Sequence, residues 1–168
     1  MLIFAYGSNM NLNRLSQRVP SAKKVSNAFL PGYKLVCNKV SKKDGSAKAN
    51  IIKTDNLADL VWGVLFTIDS NEKSQLDKAE GLGMGYHEDN LTFFYDAGNA
   101  YTAQVYIADS KSIDNTLLPY DWYKEFIVTG AIQNKLPEGY ISQLQAIACI
   151  CDPDEERRTK NYCIISGK

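Results

Sequence analysis

The chain of 168 residues carries 19 basic and 19 acidic side chains, so no net field gathers phosphate backbone or anionic lipid around it, and nucleic acid is not an expected partner. Apolar residues make up 45% and charged residues 23%, the balance of a globular chain near the size of one domain, and a single domain over residues 1–168 is expected. No apolar stretch reaches bilayer length and the opening MLIFAYGSN is too short for a signal segment, so a cytoplasmic chain with no membrane partner is expected.

The first element is a short buried strand, Leu2 to Tyr6, which ends at Gly7. Asn11 can then cap a helix running to about Arg18, stopped before Pro20. Strand signals follow at Ala28 to Val36 and Ala49 to Thr54. Between them Lys39, Lys42, Lys43 and Lys48 surround Asp44-Gly45, which reads as a solvated hairpin and not as a binding patch. Leu60 to Ile68 has the Val/Trp/Phe content of a strand covered on both faces. Asp69-Ser70 start a second helix, with Glu72 placed for a capping box and Gly81 as its stop after Glu80. Glu88 to Tyr95 and Ala100 to Ala108 alternate as a hairpin around Asp96-Ala97-Gly98-Asn99. Tyr123, Phe126, Ile127 and Gly130 recur at helical spacing from about Tyr120 to Asn134, and Ile141, Leu144 and Ala148 do so after Pro137. These two helices are expected to close an α+β fold with a mainly antiparallel sheet. The tail from Asp152 to Lys168 reads as exposed, with Cys163-Ile164-Ile165 as a short strand or a packed segment.

Several chemistries are disfavoured. His87 is the only histidine and no GxSxG elbow presents a serine to it, which removes a serine relay. No GxxxxGK[ST] or HExxH run is present, and Gly81, Gly83 and Gly85 follow a helix and precede a strand, the reverse of a dinucleotide loop. The cysteines Cys37, Cys149, Cys151 and Cys163 lack CxxC spacing and read as reduced thiols. No cofactor and no metal are expected. Carboxylate, tyrosine and backbone donors remain.

Two segments can hold such chemistry. In FAYGSNM, Phe4 to Met10, a buried strand delivers a glycine turn to a helix start, where the amides of Ser8, Asn9 and Met10 lack intrahelical acceptors and Gly7 admits close approach of a ligand. An ordinary strand-to-helix turn has the same composition. In LDKAEGLGMGYHE, Leu76 to Glu88, Glu80 lies on the last turn of a helix, whose negative end and any burial favour the protonated carboxyl. A solvent-exposed glutamate at a helix end is the plain alternative.

Taken together these segments resemble the γ-glutamylcyclotransferase family. FAYGSNM resembles its YGSN substrate loop and LDKAEG its LDxxEG segment, whose glutamate is catalytic and falls on Glu80. YKEFIVTGAIQNKLP, Tyr123 to Pro137, is similar to its late segment with a pocket tyrosine, and VWGVLF, Val61 to Phe66, to its central strand. The resemblance implies a compact mixed, mainly antiparallel β-barrel with flanking helices. It also implies an enzyme that lets the α-amine of a γ-glutamyl compound attack its own γ-carbonyl, releasing 5-oxoproline without a cofactor. Glu80 becomes the acid/base, and Tyr6, Gly7, Ser8, Asn9, Met10, Tyr86 and Tyr123 the substrate-binding set. The partner is a small γ-glutamyl molecule, with a homodimer also considered. The loop GLGMGYH is one residue shorter before Tyr86 than in vertebrate members, which leaves the leaving group open among γ-glutamyl amino acids, γ-glutamyl amines and biosynthetic carriers. A binding module that holds a glutamyl ligand without turnover stands as the non-enzymatic alternative.

Overall fold

A computed structural model describes residues 1–95 and 98–167. In chain order the elements are β1 (Leu2–Ala5), α1 (Leu12–Arg18), β2 (Lys23–Pro31), β3 (Tyr33–Val40), β4 (Ala47–Lys53), β5 (Leu60–Thr67), α2 (Lys73–Glu80), β6 (Tyr86–Tyr95), β7 (Asn99–Ala108), α3 (Asp121–Gln133), α4 (Glu138–Gln145) and α5 (Glu155–Ser166).

Five strands close a barrel in the order β1-β5-β2-β6-β7, and β3 and β4 form a separate two-stranded sheet. Every pairing around the barrel is antiparallel except the parallel contact of β1 with β7 at Ile3 and Gln104, which completes the closure. Closure removes the unpaired edges that an open sheet would expose. The α+β class and the mainly antiparallel barrel with helices around it are therefore as expected. β5 sits between β1 and β2, and because the successive side chains Val64, Leu65 and Phe66 point to opposite faces and are all buried, both of its faces are covered. At Gly63 a β-carbon would lie 2.4 Å from the Ala5 carbonyl oxygen, so only glycine lets the neighbouring strand pass that close.

Several element boundaries differ from expectation. The strand read from Ala28 to Val36 is two strands, broken at Gly32, whose φ of +75° turns the chain between β2 and β3. Asp69 caps the next helix through the amide of Asn71, but Glu72 does not return to it in a capping box. Its carboxylate instead accepts from the Ser21 amide and hydroxyl, and that hydroxyl receives the Asp69 N–H. Ala148 lies beyond the end of α4 and is exposed. Cys163-Ile164-Ile165 belong to α5, a third closing helix. The β6–β7 hairpin forms as expected, although Asp96 and Ala97 of its turn lie outside the described residues. Among the described residues no helix is long and apolar enough to cross a membrane.

α3 fixes the loop that follows β1. Trp122, Tyr123, Phe126, Ile127 and Ala131 are buried along it, and Gly130 meets the loop backbone so closely that a β-carbon would be 2.5 Å from the Asn11 nitrogen. Asn134 at the end of α3 donates to the Met10 carbonyl at 2.9 Å, and Asn11 donates to the Thr129 hydroxyl at 3.0 Å. The turn after the first strand is thus clamped from behind before any ligand arrives.

Candidate active site

Past β1 the chain makes a single 3-10 turn, Ser8–Met10, and enters α1 with Asn11 as the expected cap, its side chain accepting from the Arg14 amide. The Met10 N–H donates to the Gly7 carbonyl within that turn. Met10 is therefore not an anion donor, and its side chain is buried in the core, away from the cavity. Ser8 and Asn9 keep amides that donate to no protein group among the described residues. A β-carbon on Gly7 would stand 3.1 Å from Ala49 Cβ and 3.6 Å from the Tyr123 hydroxyl, so glycine admits β4 and α3 to the same point.

Glu80 is the last residue of α2, and Gly81 stops the helix with φ +76°. The glycine-rich loop is tied down: Leu82 N–H donates to the Asp77 carbonyl, Met84 N–H to the Gly81 carbonyl and Gly83 N–H to the Tyr86 carbonyl. Glu80 therefore has a fixed base, and its carboxylate reaches the β1 loop. Asn9 Nδ2 donates to Glu80 Oε1 at 2.8 Å, and Arg18 Nη1 donates to the same oxygen at 2.6 Å and to Asn9 Oδ1 at 2.7 Å. Oε2 accepts from no protein group among the described residues. The Arg18 and Glu80 side chains are 20% and 18% exposed, at the boundary between protein and cavity. The helix terminus is thus not the only charge near Glu80, since a guanidinium faces it from the end of α1.

Tyrosines build the remaining walls. The Tyr86 hydroxyl donates to the Ala49 carbonyl at 2.5 Å and the Tyr123 hydroxyl accepts from the Ala49 amide at 3.0 Å, so one β4 residue holds both rings. The Tyr6 hydroxyl donates to the Tyr106 carbonyl at 2.6 Å, and Tyr106 in turn donates to Asp77 Oδ1 at 2.7 Å. Burial, with smaller contributions from neighbouring phenols and Glu80, raises the pKa of Tyr6 and of Tyr86, and burial does the same for Tyr123, so all three stay neutral donors or acceptors.

Tyr6, Gly7, Ser8, Asn9, Glu80, Tyr86 and Tyr123 all line one inner cavity, and Met10 does not. Ser8, Glu80, Tyr86 and Tyr123 also face a larger outer cavity of about 480 Å³. Sequence reasoning missed Arg18 and Tyr106, since nothing local links an arginine in α1 to a glutamate 62 residues later. It also read the β3–β4 lysines as solvated. The hairpin exists, but Lys39 is buried with its ammonium 4.7 Å from the Tyr86 ring centroid, and Lys48 lies over Trp122 and Tyr123 while paired with Asp44 at 2.8 Å. These two lysines are cross-strand partners beside the register shift between Cys37 and Lys39, and both line the outer cavity.

The profile of the AIG2-like family matches residues 60–144. A bovine protein named gamma-glutamylcyclotransferase is 33% identical over 150 residues, covering 87% of this chain and 78% of the relative, and its human counterpart is 31% identical over 149 residues with the same coverage. A solved structure named gamma-glutamyl cyclotransferase superposes with a TM-score of 0.84 at 26% identity, covering 99% of this chain and 98% of the other. With a third of its residues shared over most of both chains and the same fold throughout, the chain belongs to the AIG2-like γ-glutamylcyclotransferase family and is a cyclotransferase enzyme.

Proposed function

We propose that this chain cyclises γ-glutamyl compounds to 5-oxoproline, with Glu80 as general base and then general acid. The observation that carries this reading is the one-sided binding of the Glu80 carboxylate. Asn9 and Arg18 occupy Oε1 and leave Oε2 to exchange protons in the cavity. The names of the bovine and human relatives support the same reaction class.

Oε2 takes a proton from the substrate α-ammonium, whose nitrogen then forms a bond to the γ-carbonyl carbon while that carbonyl oxygen becomes an oxyanion. Collapse re-forms the carbonyl and breaks the bond to the leaving nitrogen, which receives the proton from the Glu80 carboxyl. Two protons in all pass from the ring nitrogen to the leaving amine, so substrate ammonium becomes product ammonium and neither water nor an external acid is consumed. Nucleophile and electrophile share one molecule. Selecting the folded conformer therefore supplies several of the kcal/mol by which oriented reactions gain, on the order of 7–11 for the best cases. The Ser8 and Asn9 amides take an anionic oxygen of the glutamyl end, and losing one such donor costs about 3 kcal/mol of barrier when it serves the oxyanion. Tyr6, Tyr86 and Tyr123 close the walls and keep out water that would hydrolyse the amide instead.

The test is a product assay by mass spectrometry on γ-glutamyl-alanine and a γ-glutamyl amine, with wild type and Glu80→Gln. Release of 5-oxoproline by wild type and a loss of at least about 10²-fold in the variant are expected. Glutamate as the product, or an undiminished Glu80→Gln enzyme, would retire the reading.

A further inference from the structure

Glu80 and Tyr86 form the inner end of the outer cavity, and its rim is cationic although the chain as a whole is neutral. Some of these cations are matched. Arg18 pairs with Glu80, Lys48 with Asp44, and Arg157 with Asp152 and Asp154. Arg14 stacks over Phe126, 4.2 Å from the ring centroid, and donates to Asn161. Lys39, Lys42, Lys43 and Lys78 make no ion pair among the described residues, and all four line the cavity.

Lys39 is the most informative of the four. It is 7% exposed, its ammonium has no hydrogen-bond acceptor among the described residues, and its contact is the face of Tyr86. The ammonium itself is not fully enclosed, so an anion in the cavity can reach it. Burial lowers its pKa, with Glu80 and Asp44 working against that shift and Lys42 and Lys43 adding to it. Gly85 leaves room for this arrangement, because a β-carbon there would stand 3.0 Å from Lys39 Cε. Ammonium groups gathered in one cavity without carboxylate partners raise the local concentration of anions there.

We propose that the leaving half of the substrate is a polyanionic amine, with at least two carboxylate or phosphate groups bound by Lys39, Lys42, Lys43 and Lys78. This rests on the cyclisation reading, since the cavity continues outward from Glu80, where the leaving amine would emerge. An amine bearing several carboxylates and one bearing a phosphate share the required chemistry, and the probes below separate them.

Steady-state kinetics should compare γ-glutamyl-alaninamide, γ-glutamyl-alanine, γ-glutamyl-glutamyl-glutamate and γ-glutamyl-phosphoserine. The polyanionic probes are expected to have KM values lower than that of γ-glutamyl-alaninamide by about tenfold or more, with kcat within about threefold. The advantage should vanish in about 0.5 M NaCl, where the Debye length is about 4 Å. Lys42→Ala combined with Lys43→Ala, both at exposed positions, should erase much of it. Equal KM values, or a preference untouched by salt, would overturn the proposal while leaving the cyclisation intact. Calorimetric binding of glutamyl-glutamate, phosphoserine and alaninamide reads the cavity without turnover, and failure of both acids to bind more tightly than alaninamide also overturns it. Absence of 5-oxoproline from every probe defeats the cyclisation reading separately.

Discussion

The side-chain amide of Asn9 donates to Glu80 Oε1 at 2.8 Å, and Arg18 Nη1 bridges both residues, at 2.7 Å from Asn9 Oδ1 and 2.6 Å from the same carboxylate oxygen. Asn9 of the β1 loop and Arg18 of α1 thus fix one oxygen of the Glu80 carboxylate and leave the other toward the cavity. Hydrogen bonds to charged groups contribute about 1.5–3 kcal/mol, so Arg18→Met should lower kcat by about 10- to 100-fold with little change in KM. Arg18→Lys should recover most of that loss, because it restores a charged donor, whereas a packing role would not distinguish Lys from Met. An Arg18→Met enzyme as fast as wild type would show that fixing Oε1 does not matter.

Ala49 holds two walls of the cavity, through its carbonyl to Tyr86 and its amide to Tyr123. Tyr123→Phe strips the acceptor from a buried N–H and should destabilise the protein by about 1–3 kcal/mol in urea denaturation. Its KM for a γ-glutamyl substrate should rise as β4 loosens beside Gly7. Unchanged stability would mean that water replaces the phenol without loss.

Gly130 and Gly139 form a matched pair of tests. A β-carbon at Gly130 would be 2.5 Å from Asn11 N and 2.6 Å from Met10 C, both backbone atoms, while at Gly139 no atom of the described residues lies within 4 Å. Gly130→Ala should therefore cost about 1–3 kcal/mol and reduce activity by displacing the loop, measured by denaturation and product release. Gly139→Ala, in helix α4, should be neutral or stabilising by up to about 1 kcal/mol.

Much of this fold could be read locally, because β1, β5, the hairpin β6–β7 and α3 carry their own apolar period, and Gly7, Gly81 and Pro137 mark the end of β1, the end of α2 and the start of α4. Glu80 and the Ser8-Asn9 turn were legible for the same reason, since helix ends and glycine turns are written in neighbouring residues. The break at Gly32 was not, because its flanks are both apolar and a single φ of +75° carries the turn. Glu72 misled because a capping box and a long-range acceptor for Ser21 require the same residue at the same place. Arg18, Lys39 and Lys48 were invisible as site residues, since a charged side chain reads as solvated until the chain folds aromatic faces and carboxylates over it.

Lys48 makes the outer cavity sensitive to pH. Burial lowers its pKa from 10.5 to about 8, against the opposing pull of Asp44 and with repulsion from Arg14 and Lys39, while the rings of Tyr120, Trp122 and Tyr123 cover it. The folded protein then binds fewer protons than the unfolded chain between pH 8 and 10.5, so Lys48 contributes stability that rises across that window. Urea denaturation at about pH 7.5 and pH 9.5 should show this rise in wild type and a smaller one in Lys48→Met. Loss of the charge also weakens the rim, so KM for polyanionic substrates should climb above pH 8 in wild type, and a flat profile would contradict that role.

Asp152 ties the tail to the site wall, although the sequence around it reads as exposed. Its side chain is 0% exposed and accepts from Trp122 Nε1 at 2.7 Å and from Arg157 Nε at 2.6 Å, while Arg157 also lines the outer cavity. Burial works against ionisation, but the Arg157 bond, the Asp154 amide and the Trp122 donor outweigh it and hold the carboxyl at about 2, below its ordinary 3.8. This contribution is complete above pH 3.8 and is lost as pH falls through 2, so it belongs to acid resistance and not to behaviour near neutrality. Asp152→Ala leaves the buried indole N–H without its acceptor and the guanidinium with Asp154 alone. Because Arg157 is 30% exposed and keeps its ion pair with Asp154, the expected cost is about 2–4 kcal/mol, toward the low side of that for a broken buried pair. If α5 also shapes the cavity, the variant should raise KM for γ-glutamyl-glutamyl-glutamate more than for γ-glutamyl-alaninamide. Equal changes for the two substrates would confine α5 to a stabilising role.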